Sequence, residues 1–121
     1  MCDSHRFIDP VFSFGVFFSM KEGELAAKAI QQHLAGSSLN NGNPFAEYQR
    51  LCEHGQDVVQ DMIDAFWEEP FAFAFAAHKL YTDDIIDIFA GRVYKEEPSP
   101  GLLALRRTLA KSRMKMSAAT P

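Results

Sequence analysis

The chain is poor in the features that settle a function at a glance. Its 121 residues include two cysteines, Cys2 and Cys52, far apart and without a Cys-x-x-Cys spacing. A zinc site or a disulfide framework needs more thiols at closer spacing, so both read as reduced cytosolic thiols. No basic-then-apolar leader opens the sequence, and the longest apolar run, residues 71–77, is short. A membrane span needs roughly 20 apolar residues. The expectation is therefore a cytoplasmic protein with no membrane partner. Basic charge is scarce as well: 12 Lys and Arg stand against 16 Asp and Glu, a net charge of −4. That argues against nucleic acid as a partner, because phosphate binding needs a cationic surface. The shortage is uneven. Residues 1–97 carry 7 basic and 16 acidic side chains, a balance of −9, whereas residues 98–121 carry 5 basic and no acidic ones.

Catalytic signatures are missing too. There is no Gly-x-Gly-x-x-Gly fingerprint and no phosphate loop. Ser4 and His5 are neighbours, which in an extended segment sends them to opposite sides. His33, His54 and His78 stand alone, so no nucleophile–base pair is assembled. Read from the residues, the chain has no self-sufficient active site, no catalytic residue and no metal-ligand set.

What remains suits a globular protein: 47% apolar and 23% charged residues, in a chain long enough for one core. Five of the eleven Phe fall in the first eighteen positions: Phe7, Phe12, Phe14, Phe17 and Phe18. Such a cluster must be buried against something, which fits the back half of a larger protein. The most specific stretch is residues 3–15, Asp-Ser-His-Arg-Phe-Ile-Asp-Pro-Val-Phe-Ser-Phe-Gly. Asp9 precedes Pro10 and is pushed towards extended backbone. Ser13 and Gly15 are small enough for a turn, with Gly15 tolerating unusual geometry, and a helix then begins. Its first N–H groups, around residues 14–17, point back at the turn and favour an anion. On geometry alone an ordinary loop-to-helix junction is the preferred reading.

The residues add more. Asp3 followed by Phe7-Ile-Asp-Pro10-Val-Phe-Ser13-Phe14-Gly15-Val16 resembles the second flavin-binding motif of the flavin-dependent halogenases and related FAD-dependent monooxygenases. Their pattern is roughly Gly-Asp-Ala-x-x-Phe-x-Asp-Pro-x-Phe-Ser-Ser-Gly-Val, followed by a helix. The match covers residues 2–35 well and continues loosely to about residue 107, with Cys2 in place of Gly and Phe14 in place of Ser or Thr. By resemblance, Asp3 hydrogen-bonds the ribityl hydroxyls of FAD, and the turn containing Pro10, Ser13, Phe14, Gly15 and Val16 lies along the flavin ring. The amides of Phe14 and Gly15 resemble those that hold the halide, and the bulk of Phe14 bears on that pocket. The resemblance also implies an external flavin reductase. It implies as well a preceding portion carrying the dinucleotide fingerprint, the lysine that handles hypohalous acid and a Trp-x-Trp-x-x-Pro signature. None of these three is in the sequence.

The rest of the chain reads as helices. Val16, Met20, Gly23, Ala27, Ile30 and Leu34 form a stripe at helical spacing over 15–35, taken as core, and the Gly36–Gly42 loop stops that helix. Asn43 as cap and Pro44 at the first helical position open a second helix. Its apolar face is Tyr48, Leu51, Cys52, Val58, Val59, Met62, Ile63 and Phe66, and Pro70 ends it. The opposite face carries Glu53, Asp57, Asp61 and Asp64, read as a solvated acidic surface rather than a metal site. Residues 71–80 fit strand or helix, and the resemblance favours helix. Thr82 caps a short helix with Asp83 and Asp84 in its first turn, ended by Gly91. A last helix over 100–115 places Leu102, Leu103, Leu105 and Leu109 inward and Arg106, Arg107, Lys111, Arg113 and Lys115 outward. The expectation is a mainly α chain of four to five helices with a short extended N-terminal segment, a fragment of a larger α/β FAD-binding (Rossmann-type) fold. Its parts are 1–35 (flavin motif and helix), 36–115 (helical region) and 116–121 (a disordered tail). Function divides between the C-terminal part of an FAD-dependent halogenase or monooxygenase, inactive alone, and a non-enzymatic helical interaction module. The partner is the missing N-terminal FAD-binding portion in the first case and a second copy or another protein in the other.

Overall fold

The structure is a computed structural model that describes residues 6, 8, 10–36 and 43–119. Asp3, Cys2 and the loop 37–42 lie outside the described residues. Regular structure among the described residues is helical throughout, with no strand, so the mainly α expectation holds. The chain divides into two units, Met1–Gln56 and Asp57–Pro121.

In the first unit a 3-10 turn, Pro10–Phe12, leads into helix α1, Phe14–Leu34. Pro10 suits the first position of a helical turn because its fixed φ is helical and its missing N–H would have no partner there. The helix ends at Gly36, whose N–H reaches the His33 carbonyl at 3.1 Å. Its buried side is Phe14, Phe18 and Glu22, at successive four-residue steps. This corrects the sequence reading. The stripe expected as core faces outward: Val16 is 71% exposed, Met20 74% and Leu34 79%, and a methyl added at Gly23 would meet nothing. Two apolar stripes run along this helix, and the described residues bury the Phe one. The aromatic area of Phe14 and Phe18, roughly 150–250 Å² each, outweighs that of the aliphatic stripe.

Helix α2 follows at Ala46–Glu68, and the boundary between the units falls within it. The cap is displaced from the expected position. Pro44 lies in a turn ahead of the helix, and Asn43 Oδ1 accepts the Phe45 N–H at 2.9 Å. In the first unit the buried residues of α2 are Cys52, Gly55 and Gln56. In the second they are Val58, Val59, Met62, Ile63 and Ala65.

In the second unit Pro70 both ends α2 and starts helix α3, Pro70–Phe75, which continues as one π-helical turn, Ala76–Leu80. The ambiguous segment is thus helical, and alternation of Phe with Ala said little because both are apolar. Helix α4, Thr82–Phe89, has Tyr81 rather than Thr82 at its N-cap, with no side-chain cap. It closes in a Schellman arrangement: Gly91, at φ 81, donates to the Ile88 carbonyl and Arg92 donates to that of Asp87. Only glycine takes that backbone shape at no cost. Helix α5 spans Pro100–Ala119, so residues 116–119, expected in a disordered tail, are helical. Leu102, Leu105 and Leu109 are buried with Ile85, Ile88 and Val93, while Leu103 is partly exposed.

Candidate functional site

The turn ahead of α1 is built differently from the sequence expectation. Ser13, not Gly15, carries the unusual backbone: φ 55, ψ 27, the one positive-φ non-glycine residue among those described. Gly15 is inside the first turn of the helix. A left-handed serine costs on the order of 1 kcal/mol, and it turns the chain sharply from the 3-10 turn into α1. The Ser13 side chain makes no capping bond, and no acidic residue occupies the first helical turn. The positive dipole end of the helix therefore has no carboxylate of its own first turn beside it. A helix end of that kind favours an anionic group in general.

The remaining site residues fall around this start. Phe14 is the first helical residue, and its ring is buried, with centroids 6.4 Å from Phe17 and 6.1 Å from Phe18. Val16 is exposed, one step along the uncovered stripe. Pro10 opens the 3-10 turn. Pro10, Ser13, Phe14, Gly15 and Val16 all fall within positions 10–16, where the 3-10 turn meets α1, and Asp3 lies outside the described residues.

A second polar feature was missed by sequence reasoning. Glu22, on the buried side of α1, accepts a hydrogen bond from Gln56 Nε2 at 2.6 Å, and both side chains are buried. Gln56 Oε1 is buried without a hydrogen-bond partner among the described residues. Cys52 lies close by. Burial pushes its thiol pKa up, the Glu22 charge adds to the rise, and a hydrogen bond with Tyr48 opposes it. This is an unreactive thiol rather than a nucleophile. The signal was present, since Glu22 continues the four-residue series of Phe14 and Phe18.

The acidic face of α2 is only partly solvated. Arg106 Nε donates to Asp61 at 2.6 Å, and Arg113 bridges Asp64 at 2.7 Å and Glu68 at 2.6 Å. Arg106 and Arg113, expected to point outward, are instead the ties between α5 and α2 in the second unit. Asp84 also has a further role. Beyond its place at the start of α4, its Oδ2 accepts the Gly101 N–H at 2.6 Å, closing the first turn of α5. No group of three metal-ligating side chains occurs among the described residues, and none of their helices is long and apolar enough to cross a membrane.

Two curated relatives are halogenases. The chain is 39% identical over 90 residues, 74% of its length, to a 1H-pyrrole-2-carbonyl-(peptidyl-carrier protein) brominase of Pseudoalteromonas luteoviolacea. It is 25% identical over 109 residues, 89% of its length, to the corresponding chlorinase of Pseudomonas fluorescens. It spans only 22% and 24% of the lengths of these relatives. No protein-family model and no solved structure matches.

Proposed function

We propose that this chain corresponds to the C-terminal part of an FAD-dependent halogenase acting on a carrier-bound pyrrole, and that it contributes one wall of the flavin site. The observation that carries the reading is the 39% identity to the brominase, taken with the flavin-type motif at residues 3–16. The carboxylate-free first turn of α1 supports it. FAD, when bound, supplies the oxygen-activating redox chemistry that a chain without catalytic residues lacks. The chain's own part is positioning. Asp3 would accept hydrogen bonds from the ribityl hydroxyls. Pro10, Ser13 and Val16 would shape the turn along the ring, and the amides of Phe14 and Gly15 would hold the halide. Alone, the chain has half a cradle and no catalysis; the complete enzyme would draw reduced flavin from an external reductase.

The exposed stripe of α1 supports the same reading, because Val16, Met20, Ile30 and Leu34 present an apolar face with open space at Gly23. Large uncovered apolar faces mark interaction surfaces. That face also favours the second reading, a non-enzymatic helical module that buries it in a homodimer. Titrating FAD with the purified chain and following flavin fluorescence separates the two. Saturable quenching lost in Asp3→Ala upholds the flavin wall. Unchanged fluorescence, with a dimer that persists at nanomolar dilution, upholds the module.

A further inference from the structure

We infer that the outward basic face of α5 is a docking surface for an acidic carrier domain, with Arg107, Lys111 and Lys115 receiving its anionic groups. The identity of the partner rests on the halogenase reading above. The surface itself rests on the second unit. Of the five cations on α5, Arg106 and Arg113 are engaged by Asp61, Asp64 and Glu68. Arg107, Lys111 and Lys115 are exposed and make no ion pair among the described residues. They recur every fourth residue, so they span about 80° of arc and about 12 Å along the axis. This face lies opposite the buried Leu102, Leu105 and Leu109.

The setting of these cations matters. No acidic residue occurs in 98–121, so no i,i+4 partner on the same helix neutralises them. An open groove of about 210 Å³ runs beside them, lined by Glu69, Thr108, Lys111, Ser112 and Lys115. The two ammonium groups and the Ser112 hydroxyl can donate to an oxyanion, whereas the Thr108 hydroxyl donates to the Ala104 carbonyl at 3.0 Å, and Glu69 is the one carboxylate of the lining. Next to the cations stands Met114, 72% exposed, an adaptable apolar contact of the kind found at protein-docking surfaces. In a chain of net charge −4 a concentrated cationic face has a directional consequence: it steers a negatively charged partner to one side of the molecule. A carrier domain delivers its acyl group on a phosphopantetheine arm, whose phosphodiester is a fixed anion beside the attachment serine. Three unengaged cations match such a compact anionic patch. They are too few for the many phosphate contacts of nucleic-acid binding.

The test uses the full chain and a fluorescently labelled peptidyl-carrier protein bearing pyrrole-2-carbonyl on its arm, read by anisotropy. The variant is Arg107→Gln with Lys111→Gln and Lys115→Gln; all three sites are exposed and Gln is a good helix former, and far-UV circular dichroism checks its fold. A second variant, Lys111→Arg with Lys115→Arg, keeps the charge. Loss of carrier affinity on the order of tenfold in the Gln variant, no loss in the Arg variant, and weakening by salt near ~0.5 M are expected. Equal affinity of the Gln variant, no carrier binding by the unaltered chain, or equally tight binding of an unrelated DNA duplex would each overturn the proposal. Flavin response measured on the same samples keeps the two readings apart. Its absence with charge-dependent carrier binding refutes the flavin wall alone, and its presence with charge-independent carrier binding refutes the docking face alone.

Discussion

Gly101→Ala is the substitution with the largest expected effect for the smallest chemical change. A Cβ at this position would sit 2.8 Å from both Asp84 Cβ and Asp84 Oδ2 and 2.9 Å from Tyr81 Cβ. The neighbours are the base of one side chain and the root of another, so they cannot swing aside. The Asp84 carboxylate also accepts the Gly101 N–H at 2.6 Å, and relief of the clash means lengthening that bond. Overpacking of a buried site costs ~1–3 kcal/mol, and losing a helix-start bond costs about 0.5–2 kcal/mol. Against these stands the helix preference of Ala over Gly, at most ~1 kcal/mol. The expected net loss is about 2 kcal/mol. At a urea m-value of about 2 kcal/mol per molar, the midpoint of unfolding falls by roughly 1 M. Urea melts followed by circular dichroism at 222 nm measure this directly. Asp84→Ala removes the bond but adds no atom, so it should cost only about 1 kcal/mol. A Gly101→Ala chain as stable as the parent, or more stable, would refute the packing argument, because helix preference alone would then have won.

Other outcomes are expected elsewhere. Glu22→Ala strips the buried Gln56 amide of its acceptor and should destabilise by ~2 kcal/mol, whereas Glu22→Leu with Gln56→Leu should recover most of the loss; a double-mutant cycle of chemical melts reads both. Glu24 is held down to about 2 from the ordinary 4.5 by hydrogen bonds to Lys21 and Lys28, then by their charges. A depressed carboxylate supports the fold above its unfolded pKa and loses that support as pH falls from about 4.5 towards 2. A carbon-detected NMR titration should place the Glu24 midpoint near the lower value, and a midpoint at 4.5 would remove the two lysines as its partners. With Cys2→Ser isolating it, Cys52 should react with a thiol reagent only on the unfolding timescale, since its raised pKa and burial leave little accessible thiolate; prompt reaction at neutral pH would contradict its buried position.

The helices were readable because their punctuation is local. Pro70 and Gly91 act through their own φ and missing or freed donors, so they stopped and started helices where the sequence said. Pairing across helices was not readable. At ~100° per residue Arg106 and Arg113 fall beside Leu102 and Leu109 while Arg107 and Lys111 fall on the far side, so the spacing separates the two sets, but which acids the inner pair meets is set by the packing of α5 beside α2. The same limit explains α1. Its two apolar stripes are both plausible core in one dimension, and burial of Phe14 and Phe18 decides between them in three. At the candidate turn the left-handed residue was misplaced. Glycine is the default at positive φ, yet Ser13 holds that conformation and Gly15 sits one turn-position inside the helix.

The central claim is that the turn ahead of α1 is one wall of a flavin site, and amide NMR of the labelled chain with FAD added to about millimolar concentration tests it most directly, because weak binding still moves shifts. The expected result is saturable movement confined to the amides of residues 13–16, lost in Asp3→Ala. Amides that stay fixed throughout the titration, or that move instead along the basic face of α5 where any anion would gather, would contradict it.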